Sequence, residues 1–390
     1  MTKEKVTQFT VSGIHYATGR PVKVEIKDGR IGSVTETDRV EKESLDLFIA
    51  PGLIDNQING YANVDFSGND LFVEGVIEAA KAIRKDGVTT FLPTLITGSH
   101  ESLIKNFTVL YEVLIKDERF AESVPGFHLE GPYISPDEGY RGCHPLQYIR
   151  KPSWDDFIIY QKAAGGKIIQ VTLAPELEGA MEFIRFCKLN GLVVAMGHTN
   201  STAEEISKAV EVGVSLSTHL GNGCANFIHR HYNPIWPQLA NEKLTSTIIA
   251  DGFHLLPEEL KVFFKVKGPE KLILTSDVIY LAGMAPGKYT FLESEVMLTE
   301  EGMLKNTALN CLAGASFPLK TGVCNMMKFT GCSLEDAINM ASGNVARVYG
   351  LTDRGSLSVG KRADLILFEK DGDQLKIRKT YLNGELIFQE

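Results

Sequence analysis

Short runs of apolar residues recur along the middle of the chain, and each ends at a polar residue or a turn. Eight such runs have the length and composition of strands that are buried on both faces. They are residues 47–54, 89–96, 124–129, 168–173, 192–196, 214–218, 245–250 and 272–275. Helix-like stretches lie between or after them, at 71–86, 103–115, 154–164, 180–189, 202–212, 315–327 and 333–349. This alternation predicts an α/β fold, and eight strands favour a closed, TIM-like (β/α)8 barrel over an open sheet.

The two ends of the chain have a different pattern, in which strand-like runs follow one another with turn residues between them. These runs are residues 9–14, 22–26, 31–34, 363–368, 375–379 and 385–388. We expect residues 1–50 and 355–390 to form one small β-sandwich domain beside a barrel domain at 51–354. The alternative is that each end only extends an edge of the central domain.

Four predicted strands end at a side chain that can bind a metal or transfer a proton. Glu130 follows the third strand, His198 and His219 follow the fifth and sixth, and Asp277 follows the eighth. In a parallel barrel these ends converge on one face. One carboxylate and two imidazoles suit a catalytic zinc or iron(II) ion with an open position, and the aspartate could take a proton from its water. Each residue alone would be read as structural or exposed, but the combination favours a metal site.

Two further groups are candidates for binding an anion. His254 follows the seventh strand and could contact a substrate hydroxyl or phosphate. His229, Arg230 and His231 form a short basic cluster that could bind a phosphate or carboxylate. Spacing alone leaves open that both groups are solvated loop residues.

Composition narrows the classes of partner. The chain has 390 residues, a net charge of −9 and no block of lysine and arginine, which argues against nucleic acid or an anionic membrane as the main partner. Its six cysteines include no Cys-x-x-Cys pair and are expected to be reduced thiols. Residues 1–5 are polar, and no apolar run is long enough to span a bilayer, so the expected location is the cytoplasm. No Gly-x-Gly-x-x-Gly follows the first strand, which disfavours dinucleotide binding.

An ordered set of short motifs resembles the amidohydrolase superfamily, and most of all its deacetylases of N-acetylated amino sugar phosphates. The resemblance extends along almost the whole chain. The motifs are APGLID (50–55), HLEGP (128–132), LAPE (173–176), GHT (197–199), THL (218–220), ADG (250–252), LAG (312–314) and ASGNVA (341–346). The segment GKRADL (360–365) is similar to the return into the superfamily's small β domain.

The resemblance implies roles for the residues at the strand ends. Glu130, His198 and His219 would hold one divalent metal ion per subunit, zinc or iron(II), and Asp277 would act first as general base and then as general acid. His144 would orient or polarise the acetyl carbonyl.

The resemblance also implies a substrate pocket. In it, His254 would contact the sugar phosphate, and Arg230 would reach the phosphate in the neighbouring subunit of a homodimer. The remaining substrate-binding candidates are Gln57, Asn59, Asn222, Gly223 and Leu312.

Two local features favour a single metal over two. Many superfamily members have His-x-His after the first strand, whereas this chain has Gln57 and Asn59 around Ile58. No lysine stands after the fourth strand, where residues 174–176 read Ala-Pro-Glu, so a carbamylated-lysine bridge has no candidate there.

The implied reaction is the metal-dependent hydrolysis of the N-acetyl group of N-acetylglucosamine 6-phosphate to glucosamine 6-phosphate and acetate. The segment after His219 departs from the usual family pattern, since residues 220–224 read Leu-Gly-Asn-Gly-Cys. One alternative is therefore deacetylation of another acetamido sugar, unphosphorylated or galacto-configured, or of an N-acyl amino acid. Another alternative, from a different class, is an inactive protein that binds a sugar phosphate.

Overall fold

A computed structural model describes residues 8–38, 46–292, 294–372 and 374–390. The polar segment 1–5, on which the expected location depends in part, lies outside these ranges. So do residues 39–45 of the predicted N-terminal β segment. Within the described ranges no helix is long and apolar enough to cross a membrane.

The central region is an eight-stranded parallel sheet whose strands are hydrogen-bonded in chain order. Its strands are Leu53–Ile58, Val88–Ile96, Phe127–Glu130, Ile168–Leu173, Val193–Met196, Leu216–Ser217, Thr245–Ile248 and Leu272–Leu274. The chain just after the eighth strand bonds back to the end of the first, through Asp277 N to Gln57 O at 3.1 Å and Asn59 N to Val278 O at 2.9 Å. The sheet therefore closes, and the predicted (β/α)8 barrel is confirmed.

Helices cover the outside of the barrel. They span Val73–Lys85, His100–Lys116, Glu118–Ser123, Trp154–Ala163, Ala180–Leu189, Ala203–Val212, Ile235–Ala240, Pro257–Lys267, Leu319–Thr330, Leu334–Met340 and Gly343–Val348. The helix Val73–Lys85 illustrates why they form, because Val76, Ala79 and Ile83 recur at helical spacing and are buried. Thr202 begins another helix with a capping box that satisfies two free backbone N–H groups.

Both ends of the chain contribute to one seven-stranded sheet outside the barrel. From the N-terminal end come Gln8–His15, Pro21–Lys27, Arg30–Glu36 and Phe48–Pro51, and from the C-terminal end Leu365–Asp371, Gln374–Leu382 and Glu385–Gln389. The halves join where Ile366 pairs with Ala50. The expectation of one small β domain built from both termini is therefore confirmed, and we propose the predicted boundaries near residues 50 and 355.

The first predicted strand, 47–54, is wrong as a single element. It divides at Gly52 into Phe48–Pro51, which belongs to the terminal sheet, and Leu53–Ile58, which opens the barrel. A Cβ atom at Gly52 would overlap the side chain of Thr89, so only glycine allows this close approach.

The stretch 333–349 also differs from its prediction, because it forms two helices that are separated around Ala341 and Ser342. The carbonyl of Ala341 accepts a hydrogen bond from Ile54 N at 2.7 Å, and the Ser342 hydroxyl donates to Ile338 O at 2.6 Å. These bonds replace the intrahelical ones at the break.

An antiparallel sheet that the sequence pattern did not predict lies between the eighth strand and the next helix. Its strands are Gly287–Phe291, Ser294–Leu298, Leu304–Asn306 and Cys311–Leu312. We call it the inserted sheet. A two-stranded hairpin, Gly60–Tyr61 with Val64–Asp65, follows the first barrel strand.

Candidate active site

Three of the predicted site residues have left-handed backbone conformations directly after barrel strands. The φ angles are 50° at His198, 29° at His219 and 53° at Asp277. Residues other than glycine adopt this backbone region at a cost of order 1–3 kcal/mol, which the surrounding structure must offset. Such residues cluster at functional sites. The sharp turn at each position lies two or three residues beyond the end of the strand, at the carboxyl-end mouth of the barrel.

Glu130 and two histidines converge at this mouth. Glu130 Oε1 lies 2.9 Å from His219 Nε2 and 3.6 Å from His198 Nε2, and all three side chains are almost fully buried. His144 joins the group, since it can bring a ring nitrogen within 4.8 Å of donor atoms of both Glu130 and His198. The sequence had assigned His144 to the substrate, and the structure adds it as a potential fourth metal donor.

Hydrogen bonds fix the orientation of two of these rings. His198 Nδ1 lies 2.9 Å from the carbonyl oxygen of Tyr140, an acceptor, so Nδ1 carries the proton and Nε2 presents a lone pair toward Glu130. His144 Nδ1 lies 2.7 Å from Thr97 Oγ1. The rings of His144 and His198 are 4.4 Å apart between centroids.

The electrostatics favour a charged carboxylate at Glu130 and a neutral imidazole at His144. Burial raises the pKa of Glu130, but its contacts with His198 and His219 outweigh it and hold that pKa well below its usual value. Burial lowers the pKa of His219, whereas its contact with Glu130 raises it, with a net increase. Burial, with His198 nearby, lowers the pKa of His144 to about 3. The buried, charged carboxylate of Glu130 is stabilised by a positive charge beside it. A divalent cation can supply that charge in place of a proton on a histidine.

The donor set fits a divalent metal. A carboxylate and imidazole nitrogens are borderline-to-hard ligands, and here they converge from the ends of separate strands and from the loop that carries His144. The structure therefore contains a histidine and glutamate cluster that can hold a metal ion.

Asp277 is held by two side chains from the first barrel strand and its continuation. Its Oδ1 accepts from Gln57 Nε2 at 2.8 Å and from Asn59 Nδ2 at 2.7 Å. Burial raises the pKa of Asp277, the charge of Glu130 adds to the increase, and His219 and His254 oppose it. The arrangement gives a carboxyl group of fixed direction and enhanced basicity beside the metal cluster.

A cavity of about 440 Å³ opens over the cluster. Ten of the predicted site residues line it: Asn59, Glu130, His144, His198, His219, Asn222, Gly223, His254, Asp277 and Leu312. Gln57 does not line it and instead contacts Asp277, so its placement is that of a positioning residue. Arg230 is exposed and outside the lining, in a loop where its carbonyl accepts from Trp236 Nε1 at 3.0 Å.

His254 lies where it can donate to a ligand in the cavity. Its Nδ1 is 2.7 Å from Asp251 Oδ2, and both side chains are nearly buried. Because the Asp251 carboxylate holds Nδ1, it fixes the orientation of the imidazole ring. Carboxylates orient metal-bound imidazoles in the same way. His229 and His231 of the basic cluster are exposed and do not line the cavity.

Sequence reasoning missed several residues that shape the site. Thr97 and Tyr140 orient two histidines, and Phe291 and Cys311 bring the inserted sheet to the cavity wall. Thr97 directly follows a predicted strand, which was the one available signal. The others depend on contacts between distant parts of the chain.

Gly223 provides a test of how tightly His198 is held. A Cβ atom there would lie 2.8 Å from His198 Nδ1, at a φ of +59°. We expect Gly223→Ala to displace the ring and to weaken metal binding by about 10- to 100-fold. Metal affinity is measured by titration with a competing chelator.

Gly283→Ala is the matched control for that variant, since Gly283 has φ +81° with nothing within 4 Å of the added Cβ. Both variants carry the same backbone strain, of order 1 kcal/mol. Equal metal affinity in the two variants would contradict the proposed contact with His198.

Comparison with known proteins agrees with this geometry. A family model described as the amidohydrolase family matches residues 48–387, and the chain belongs to that family. An N-acetylglucosamine-6-phosphate deacetylase of Bacillus subtilis is 34% identical over 374 residues, which cover 94% of this chain and 92% of the relative. The human N-acetylglucosamine-6-phosphate deacetylase is also 34% identical, over 91% of this chain and 87% of its own.

A solved structure supports the same placement. The crystal structure of N-acetylglucosamine-6-phosphate deacetylase from Thermotoga maritima superposes with a TM-score of 0.86 at 29% identity, covering 98% of this chain and 100% of that one. The resemblance that the sequence motifs indicated is therefore confirmed.

Proposed function

We propose that this chain removes the acetyl group from N-acetylglucosamine 6-phosphate and releases acetate and glucosamine 6-phosphate. The observation that carries the proposal is the convergence of Glu130, His198 and His219 beside Asp277 at the mouth of the barrel. Its relatives at about a third identity over most of the chain are deacetylases of that substrate by name.

In this proposal Glu130, His198 and His219 hold one divalent ion, and zinc suits the donor set. Such an ion supplies Lewis-acid polarisation of the acetyl carbonyl and makes water nucleophilic at neutral pH. His144 is neutral because of its low pKa and lies beside His198. It either donates a hydrogen bond to the oxygen of the acetyl carbonyl or serves as a fourth ligand of the ion.

Asp277 moves the proton in both halves of the reaction. Its carboxylate accepts a proton from the attacking water, and the protonated group then donates it to the departing sugar nitrogen. Gln57 and Asn59 keep the group aligned because both donate to Oδ1, which leaves Oδ2 to exchange the proton.

The phosphate of the substrate needs a cation that the cavity lining lacks. Among the described lining residues, the ionisable side chains are carboxyls, histidines and cysteines, with no lysine or arginine. His254 and the amide of Asn222 can hydrogen-bond an anion, and Arg230 lies in the exposed loop that continues from the lining. A homodimer in which Arg230 reaches the neighbouring cavity would complete the anion site.

Arg230→Ala tests this arrangement. We expect kcat/KM for N-acetylglucosamine 6-phosphate to fall by about 10- to 100-fold, because a charged hydrogen bond to phosphate is lost, while kcat/KM for unphosphorylated N-acetylglucosamine stays unchanged. Arg185→Ala, on the exposed side of helix Ala180–Leu189, is the matched loss of one positive charge. An equal loss on both substrates would contradict a role at the phosphate.

Acetate release tests the function itself. Zinc-loaded protein is assayed with N-acetylglucosamine 6-phosphate beside unphosphorylated N-acetylglucosamine. Faster turnover of the phosphorylated sugar is expected. Absence of release from both sugars, in protein that contains metal, would reject the proposed substrate.

The segment after His219 favours one second candidate, a deacetylase of another acetamido sugar or N-acyl compound. In the structure this segment forms part of the cavity wall, with Asn222, Gly223 and Cys224 all lining it. A panel of galacto-configured and unphosphorylated acetamido sugars and N-acyl amino acids, assayed under the same conditions, separates this candidate from the first.

A further inference from the structure

Two cysteines that are far apart in the sequence meet in the wall of the cavity. Cys143 Sγ and Cys311 Sγ are 3.0 Å apart, although 168 positions separate the residues in the chain. The Cys143 thiol also lies 3.4 Å from the carbonyl oxygen of Leu312. Both cysteines are half-buried and line the cavity, so a small solute that enters the site can reach them.

The two thiols belong to segments with separate roles at the site. Cys143 lies in the loop 139–144, which supplies the Tyr140 carbonyl that orients His198 and carries His144 itself. Cys311 lies in the edge strand Cys311–Leu312 of the inserted sheet. Their contact joins the loop that carries His144 and orients His198 to the sheet that forms the adjacent part of the wall.

We propose that Cys143 and Cys311 form a reversible disulfide that ties this loop to the inserted sheet and slows turnover. An S–S bond is about 2.05 Å long, so the two sulfur atoms must approach by only about 1 Å. A cross-link between two parts of one cavity wall removes their independent movement, and we expect this to slow the exchange of substrate and product.

The chemistry requires a two-electron oxidant, for which we name a peroxide. The Cys311 thiolate attacks one peroxide oxygen, the O–O bond breaks, and water leaves once the second oxygen takes a proton. The sulfur of Cys143 then attacks the sulfenic acid on Cys311, the S–S bond forms, and the S–O bond breaks. The departing oxygen takes the Cys143 proton and leaves as a second water. The two thiols lose two electrons and two protons, and the peroxide is reduced to two waters. The hydrogen bond from Cys143, which lowers the pKa of the Cys311 thiol, agrees with this order of attack.

The test uses the zinc-loaded full chain treated with hydrogen peroxide under non-denaturing conditions. We expect a mass decrease of about 2 Da, and a peptide map of the unreduced protein that contains a cross-linked 143–311 pair. Turnover should fall severalfold compared with the untreated portion of the same sample, and dithiothreitol should restore it. The melting temperature of the oxidised protein should rise by several degrees, because the cross-link closes a long loop.

Two variants make the outcome specific. The Cys311→Ser protein should show neither the mass decrease nor the fall in turnover after treatment with peroxide. The treated and untreated portions of the same variant are compared. Cys332→Ser, which removes another half-buried cysteine that does not line the cavity, should keep both effects.

The result that would overturn the proposal is the absence of a 143–311 cross-link when peroxide has oxidised other thiols. A cross-link without a fall in turnover would equally overturn the proposed effect on catalysis. Because the disulfide is measured by mass, its failure is distinguishable from failure of the proposed deacetylation.

Discussion

Asp277→Asn should reduce kcat for N-acetylglucosamine 6-phosphate by about 10³-fold or more, since general acid–base catalysis by a positioned side chain contributes about 10²–10⁴-fold. Asparagine keeps the size of the side chain and can still contact Gln57 and Asn59, but it cannot accept or return the proton. Metal content and substrate binding should remain near those of the parent. They are measured by elemental analysis and by calorimetry with the intact substrate.

The control for this variant is Asp65→Asn, which changes a half-buried residue whose carboxyl pKa is raised by burial to about 6. Asp65 lies in the hairpin after the first barrel strand and does not line the cavity. Its variant should retain turnover. Near-normal kcat in Asp277→Asn would reject the assigned role.

Removal of the negative charge at Glu130 has the second largest expected effect. Glu130→Gln should lose most of its bound metal and about 10³-fold or more in kcat, because the carboxylate is the one anionic donor in the cluster and both His198 and His219 face it. The measurements are metal per chain after gel filtration, and turnover with and without added zinc.

His254→Asn separates loss of metal from loss of substrate contacts. His254 lines the cavity and is paired with Asp251 at 2.7 Å, and it is not one of the proposed metal donors. That variant should keep its metal and raise KM for the phosphorylated sugar.

A Glu130→Gln protein that retains one metal ion per chain would contradict the prediction for Glu130. It would show that His144, His198 and His219 suffice to hold the ion.

The positions of four candidate site residues could be predicted from the local pattern of the chain. Glu130 is the last residue of a short apolar strand, and His198, His219 and Asp277 lie two or three residues beyond theirs. The end of a strand can be located from a few neighbouring residues. Since parallel strands converge at their carboxyl ends, the sequence also predicted that these side chains would meet.

The misplaced elements have a common physical cause. The division at Gly52 and the helix break at Ala341 both arise where backbone groups from distant segments compete for hydrogen bonds or space. Gly52 lies against Thr89, and the carbonyl of Ala341 accepts a hydrogen bond from Ile54. Neither contact can be predicted from the residues that flank Gly52 or Ala341 in the sequence. The strands of the inserted sheet are three to five residues long, apart from the two-residue edge, and carry little periodic signal.

The sequence by itself determined the barrel, the small domain built from both termini, and the order along the chain of the residues proposed as metal donors and proton carrier. These follow from hydrophobic periodicity, which acts within a few residues, and from the convergence of parallel strands. Tertiary structure alone decided that Gln57 holds Asp277, that Tyr140 orients His198, and that Cys143 meets Cys311. Each of those contacts joins segments from different elements, so its geometry exists only when the barrel closes and the inserted sheet packs over its mouth.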